Sequence, residues 1–217
     1  MNRIEDRVIS RKYKNSTGEN KNKVRRRVNN YILESDIEYP LILSLPGEHW
    51  TWERELLNLI PSARFIGVEQ DSNISYKATL NSVNIISSIV AVYNETLSKV
   101  LNSSPTNSLS HIIMDYCCTI NSVVDEINYT LANDIVVKNG IIAITLSKIN
   151  IQPNTLIRSV SNSIPRNVLQ FEGSNSTVAT KLIMSHIIIN NLNYKLIDVI
   201  EYYDTSAMIV FVVKRIK

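Results

Sequence analysis

Three groups of polar residues stand where short apolar runs of the sequence end, and together they could form a ligand site. The groups are Pro46-Gly47-Glu48, Glu69-Gln70-Asp71 and Asp115-Tyr116. The carboxyl ends of parallel strands meet at one edge of a sheet, where ligands bind at the point at which the strand order reverses. Glu69 lies about 20 residues beyond the first turn, the spacing at which a carboxylate accepts the ribose hydroxyls of an adenosine cofactor.

The elements that must position these groups follow from the hydrophobic pattern. A basic amphipathic helix from Lys23 is followed by five alternating strand and helix units. The predicted strands are 41–45, 63–68, 89–92, 111–114, 141–146, 195–203 and 207–215, and the predicted helices after the first are 50–60, 72–83, 96–101, 121–138 and 176–191. Residues 149–163 are predicted to form a loop and a short helix, and residues 204–206 a turn. The order predicts an α/β fold: a mostly parallel seven-stranded sheet with helices on both faces and an antiparallel C-terminal hairpin.

The charge of the chain is distributed unevenly. The 217 residues carry a net charge of +3, whereas residues 1–27 hold ten Lys or Arg and three acidic residues, a net of +7. We therefore divide the chain into a basic N-terminal extension, residues 1–40, and a main domain, residues 41–217. The extension either binds nucleic acid, since cations placed at phosphates release counterions, or is a solvated tail. In the first case the phosphate-binding residues are Lys23, Arg25, Arg26 and Arg27.

The composition also predicts where the protein works. No segment approaches the roughly 20 apolar residues of a membrane span, and the N-terminus lacks the apolar core of a signal peptide. Adjacent Cys117 and Cys118 rarely form a disulfide, which fits a reducing compartment. We therefore expect a cytoplasmic protein with no membrane partner. His49, His111 and His186 do not have the spacing of metal ligands, so no metal site is predicted.

The residues at the strand ends resemble those of the class I S-adenosylmethionine-dependent methyltransferases over about residues 41–217. Leu41 to Gly47 is similar to the first motif of that family and Phe65 to Asp71 to the second. Asp115 to Thr119 is similar to the fourth motif, and Gly140 to Ser147 to its fifth strand. The C-terminal hairpin is similar to the antiparallel seventh strand that distinguishes this Rossmann-like fold from ordinary dinucleotide-binding sheets.

The resemblance implies S-adenosylmethionine as the cofactor and a role for each strand end. The residues from Ser44 to Glu48, namely Ser44, Leu45, Pro46, Gly47 and Glu48, would approach its methionine part. Glu69, with Gln70 beside it, would hold its ribose, and Asn94 or Glu95 would lie near its adenine. Asp115 and Tyr116 would face the methyl group and orient the acceptor. A nucleic acid is the acceptor that the basic extension suggests.

The chain departs from the family pattern in its first motif. The family usually has an acidic residue at the end of the first strand and several glycines in the turn, whereas Ser44 and Leu45-Pro46 stand here. Proline also removes one N–H that could serve the cofactor. The alternative to an enzyme is therefore a catalytically inactive relative that binds nucleic acid or acts as a scaffolding subunit.

Ribose 2′-O-methyltransferases are a closer comparison, because a basic helix before the first strand and Pro-Gly followed by Trp resemble them. Their Lys-Asp-Lys-Glu tetrad is incomplete here: Asp115 fits, Thr145 stands at the place of the second lysine with Lys148 beyond it, and Ala207 stands near the place of the glutamate. Trp50 and Trp52 are expected to anchor the first helix of the main domain to the sheet. Alternatively, they cover the pocket mouth or stack on a base. The apolar edge from Ala207 to Val213 either pairs between chains in a homo-oligomer or lies inside the sheet.

Overall fold

The computed structural model describes residues 18–148, 160, 176–203 and 206–217. Most of the basic extension, nearly all of the loop and short helix predicted at 149–163, and the turn residues 204 and 205 lie outside the described residues. Within the described ranges, seven strands form one sheet in the order β3-β2-β1-β4-β5-β7-β6. The strands are β1 (Leu41–Ser44), β2 (Arg64–Val68), β3 (Ile89–Tyr93), β4 (His111–Asp115), β5 (Ile141–Ser147), β6 (Tyr194–Tyr203) and β7 (Ala207–Arg215).

The pairing of the strands confirms the predicted architecture. The first five strands are parallel to their neighbours, and β1 lies between β2 and β4. β7 runs antiparallel between β5 and β6. The apolar stretch Ala207 to Val213 therefore lies inside the sheet rather than at an exposed edge. The strand order reverses between β1 and β4, which places a crevice outside their carboxyl ends.

Helices cover both faces of this sheet. They are α1 (Glu19–Leu33), α2 (Thr51–Leu59), α3 (Ser72–Asn81), α4 (Leu97–Ser103), α5 (Val124–Ala132) and α6 (Ser176–Asn190), with short 3₁₀ segments at Ser82–Ser88 and Ile120–Ser122. One apolar layer joins the sheet to α1, α2 and α3, and a second joins it to α4, α5 and α6. Val28 of α1 is fully buried, so the basic helix forms part of the packed core rather than a loose arm. None of the described helices has the length and apolar content to cross a bilayer.

The fifth helix is much shorter than the predicted 121–138. It begins at Val124 and ends at Ala132, and Asp134 then adopts a left-handed backbone (φ 49°) that a helix cannot continue through. Ile135 and Val136 are fully buried, and Val136 forms a parallel bridge with Leu109. Their apolar character reflects this extended packing and not a helical stripe. Asn139-Gly140 is accordingly the turn into β5, not the helix C-cap that the pattern suggested.

His111 opens β4 in the centre of the sheet and gives the protein a pH-dependent stability. Burial lowers the pKa of His111 from its ordinary 6.5 to about 3, and its Nδ1 accepts a hydrogen bond from the backbone N–H of Ile141 at 3.0 Å. The unfolded chain binds this proton below pH 6.5 while the folded chain does not until pH 3. Stability is therefore full above pH 6.5 and falls as the pH drops through this window.

We expect the substitution His111→Asn to flatten that dependence, because an amide oxygen can accept the same N–H without binding a proton. The wild-type protein should lose about 3 kcal/mol of unfolding free energy between pH 6.5 and pH 4 from this group. Urea denaturation at pH 7, 5.5 and 4 measures the difference. The exposed His49, changed to Asn, is the matched control and should leave the slope unchanged. Parallel slopes for wild-type and His111→Asn proteins would contradict the assignment.

Candidate functional site

A cavity of about 450 Å³ lies at the carboxyl edge of the sheet, in the crevice between β1 and β4. Its wall combines the turn after β1, the ends of β2 and β4, and side chains from α1, α2 and α5. Its volume falls in the range of pockets that bind small molecules and cofactors, about 300–1,000 Å³. The described part of the chain thus has a cofactor-sized site at the position where the strand-end rule placed it.

Most of the residues predicted to bind the cofactor line this cavity. They are Leu45, Pro46, Gly47, Glu48, Glu69, Gln70, Glu95 and Asp115, and Tyr116 lies beside them. Two predicted residues do not reach it. Ser44 is fully buried beneath the turn. Asn94 instead ties the ends of β2 and β3 together, because its side-chain amide donates to the carbonyls of Glu69 and Gln70 at 3.0 and 3.2 Å.

The turn after β1 is held open by two left-handed residues and one deeply buried tryptophan. Gly47 (φ 59°) and Trp50 (φ 53°) reverse the chain before α2. Trp50 is fully buried, and its indole N–H donates to the carbonyl of Ala78 at 2.8 Å. Trp52 of α2 donates to the side chain of Asn29 in α1 at 2.7 Å. These contacts confirm that the tryptophans anchor the helix, although Trp52 also lines the cavity.

The end of β2 presents the carboxylate of Glu69 to the cavity. Glu69 is 6% exposed, and one of its oxygens accepts the backbone N–H of Asp71 at 2.9 Å. Asp71 in turn caps α3 by accepting the N–H groups of Asn73 and Ile74. The Glu69 carboxylate is therefore oriented by the backbone of its own turn, as a group that must present a fixed acceptor to a ligand requires.

The mouth of the cavity carries Glu48. Its carboxylate pairs with Lys77 and with His49, each at 3.0 Å, and these partners lower its pKa, with the hydrogen bond from Lys77 the largest cause. Glu95, which closes β3, pairs with Lys99. Both residues are part of the wall, but their charges are balanced by neighbours on the surface.

Asp115 closes β4 and forms an ion pair that the sequence did not predict. Its Oδ2 lies 2.9 Å from Nζ of Lys21 in α1, and both side chains are about one-sixth exposed. Its Oδ1 is buried and has no hydrogen-bond partner. Lys21 was counted only with the basic extension. Its position one helical turn before Arg25 was the available signal that the two share a face of α1.

Tyr116 follows Asp115 in the wall of the cavity. Its hydroxyl donates to Glu126 of α5 at 2.6 Å, and the other oxygen of Glu126 accepts the hydroxyl of Ser98 in α4. Burial, and then the charge of Glu126, raise the pKa of Tyr116 well above its ordinary value. The phenol is therefore a neutral donor locked onto Glu126, a cavity residue that the strand-end rule missed because it lies on a helix.

Two further charged residues in the wall, Glu53 of α2 and Arg25 of α1, were also missed. Glu53 is 1% exposed and Arg25 is 7% exposed. Burial raises the pKa of Glu53, an effect that Ser44 and Arg25 oppose and Asp115 reinforces. The Arg25 guanidinium lies 5.9 Å from the centre of the Trp52 ring and 3.6 Å from a carboxylate oxygen of Glu55. In the sequence both residues resemble ordinary charges on solvated helix faces.

The four cations predicted to bind phosphates do not share one surface. Arg25 faces the cavity, whereas Arg27 pairs with Asp198 of β6 at 2.6 Å. Lys23 is exposed and pairs with Glu19, and Arg26 is exposed. Only Lys23 and Arg26 are thus placed where a large polyanion could reach them without displacing a core contact.

The residues compared with the ribose methyltransferase tetrad also fall in two places. Thr145 of β5 is buried and lies in register with Asp115. Lys148 pairs with Glu201 of β6, which Lys181 also contacts at 2.5 Å, and the lysines lower the pKa of Glu201. The cation beside Asp115 is therefore Lys21 of α1, and the acidic residue of the hairpin is Glu201 rather than one at position 207.

Comparison with known proteins places this architecture. No protein-family model and no curated protein sequence matches the chain. Among solved structures, yhhF of Escherichia coli, provisionally described as a methyltransferase, is 13% identical, with a TM-score of 0.60 over 95% of this chain and 89% of its own. The O-methyltransferase TomG of Streptomyces achromogenes, solved with S-adenosylmethionine and involved in tomaymycin synthesis, is 8% identical, with a TM-score of 0.55 over 88% and 80%. A Clostridium thermocellum protein provisionally described as an rRNA methylase is 8% identical, with a TM-score of 0.57 over 88% and 96%.

Proposed function

We propose that this chain, which has the fold of the class I methyltransferases, binds S-adenosylmethionine in the cavity between β1 and β4 and transfers its methyl group. The observation that carries the proposal is the convergence on that cavity of the turn after β1, Glu69 and Asp115, each contributed by a different strand end. At 13% identity or less the solved neighbours support the fold alone, so the cofactor is inferred from the site.

The residues present fit this cofactor in spite of the divergent turn. Glu69 offers an oriented carboxylate acceptor for ribose hydroxyls, and Leu45 and Pro46 offer an apolar surface. The turn keeps its glycine at position 47, where the left-handed backbone favours it. When bound, the cofactor supplies an activated methyl group on a sulfonium. The chain then has to hold donor and acceptor in line, and positioning contributes most of such a rate enhancement.

Calorimetric titration tests the proposal directly. We expect both S-adenosylmethionine and S-adenosylhomocysteine to bind, and ATP, which shares only the adenosine part, to bind more weakly by at least tenfold. The absence of heat with either cofactor form at high protein concentration would contradict the proposal. That result would favour the non-catalytic alternative, in which the fold is kept as a binding or scaffolding unit.

For the acceptor we propose a nucleic acid. The support is the net charge of +7 in residues 1–27 and the position of α1, which carries the exposed Lys23 and Arg26 and places Lys21 in the cavity wall. A nucleic-acid backbone bound along this helix would bring its sugars and bases to the cavity mouth. The titles of the solved neighbours name acceptors of more than one kind and do not select among them.

Salt dependence of binding tests the acceptor class. Labelled single-stranded RNA and DNA are titrated at several salt concentrations against the full chain and a variant with Lys23→Gln and Arg26→Gln. We expect the slope of log K against log salt to become shallower by about 0.7 for each phosphate that the variant no longer neutralises. The control changes Lys195 and Lys214, on the far strands β6 and β7, to Gln. Equal slopes for the test and control variants would remove α1 from the proposed nucleic-acid surface.

A further inference from the structure

The cavity wall contains two buried ionic groups of opposite sign whose hydrogen-bonding atoms are left without protein partners. In Glu53, Oε2 is buried and has no hydrogen-bond partner, and in Arg25 the same is true of Nε and one Nη. Both side chains are more than nine-tenths buried and both line the cavity. A buried ionic group that lacks a partner is costly, so such atoms in a cavity wall indicate that a ligand completes them.

The two groups are held in place without neutralising one another. Arg25 packs against the Trp52 ring, and Trp52 is itself fixed by its hydrogen bond to Asn29. Glu53 lies one residue further along α2, and no ion pair joins it to Arg25 within the described ranges. The wall therefore offers one oriented cation and one oriented carboxylate as separate binding groups. We refer to Arg25 and Glu53 as the charge pair.

Neighbouring groups make the acidic side of this region larger. Oδ1 of Asp115 and the hydroxyl of Ser44 are buried and lack hydrogen-bond partners, while Lys21 occupies the other oxygen of Asp115. A ligand group with several N–H donors would satisfy the acceptors of Glu53 and Asp115 together. A ligand carboxylate would satisfy the two unpaired donors of Arg25, which a guanidinium presents in one plane.

We propose that the charge pair binds the α-amino acid end of the cofactor, Glu53 accepting hydrogen bonds from its ammonium group and Arg25 donating to its carboxylate. This inference rests on the proposed function and adds the orientation of the cofactor in the cavity. The amino acid end lies against α1 and α2, and the adenosine end points toward Glu69. A carboxylate from α2 then does the work of the acidic residue that Ser44 replaces at the end of β1.

The test varies the ligand and the protein together. Binding of S-adenosylhomocysteine is compared with binding of its deaminated and decarboxylated analogues, which lack the ammonium and the carboxylate. We expect wild-type protein to bind each analogue at least tenfold more weakly than the parent. Glu53→Gln should weaken binding of the parent by a similar factor and change binding of the deaminated analogue less than threefold. Arg25→Gln should show the same pattern with the decarboxylated analogue. Glu34→Gln, at the exposed end of α1, is the control.

Each outcome has a clear meaning. If Glu53→Gln weakens the parent and the deaminated analogue equally, or neither, the charge pair has only a structural role and the inference fails while the proposed function stands. If wild-type protein binds the three ligands equally well, the inference fails without any variant having to fold. If wild-type protein binds no S-adenosylhomocysteine, the proposed function fails and the inference fails with it.

Discussion

Replacement of Trp50 by alanine is expected to lower the free energy of unfolding by about 3–5 kcal/mol. Trp50 is fully buried between the turn after β1 and α3, and its removal leaves a large cavity and an unpaired carbonyl at Ala78. Since natural domains are stable by only about 5–15 kcal/mol, this loss should be visible as a large drop in melting temperature or as failure to fold. Chemical denaturation measures it, and Tyr76→Ala, at an exposed aromatic of α3, is the control.

The contact between Trp50 and Gly67 allows a sharper test. A Cβ added at Gly67 would lie 2.5 Å from Cη2 of Trp50 and 3.2 Å from Cγ of Pro46. Gly67→Ala should therefore cost about 1–3 kcal/mol through overpacking. In a Trp50→Phe background, where the far ring atoms are absent, the same change should cost less than about 0.5 kcal/mol, a coupling that a double-mutant cycle measures. Equal costs in the two backgrounds would show that the indole does not determine the glycine at position 67.

The architecture was predictable because each strand is a short apolar run that ends at a polar turn. β5, for example, is buried along its whole length between β4 and β7, so its sequence from Ile141 is apolar without alternation. The end of α5 was not predictable in the same way. Ile135 and Val136 continue an apolar pattern, and only the bridge between Val136 and Leu109 shows that they are extended. Such a contact joins residues far apart in the sequence and leaves no local signal.

The same distinction applies to the candidate site. The strand-end rule located Glu69 and Asp115 because a parallel sheet brings its carboxyl ends to one edge whatever the side chains are. It missed Lys21, Arg25 and Glu53, because these reach the cavity from helices whose rotation about their axes depends on packing. For Arg25 that packing is the contact with Trp52, itself held by Asn29. A charged residue on an amphipathic helix looks the same in sequence whether it faces water or a cavity.

The prediction that bears most directly on the cofactor concerns Glu69. Hydrogen bonds to a charged group contribute about 1.5–3 kcal/mol, so Glu69→Ala should weaken binding of S-adenosylhomocysteine by roughly ten- to a hundredfold. Glu69→Gln keeps an oxygen that can accept the N–H of Asp71, and it should preserve the fold while losing most of the same affinity. Glu38→Gln, an exposed carboxylate remote from the cavity, serves as the control in the same titration.

A ligand without the ribose hydroxyls shows whether Glu69 acts on the ribose. Wild-type protein should bind the 2′,3′-dideoxy analogue of S-adenosylhomocysteine more weakly than the parent, and Glu69→Gln should bind the two about equally. If the variant still distinguishes the parent from the analogue as strongly as wild-type protein does, the ribose is held elsewhere in the cavity. The orientation set by the charge pair would then have to be reversed or abandoned, because one end of an elongated cofactor cannot be placed independently of the other.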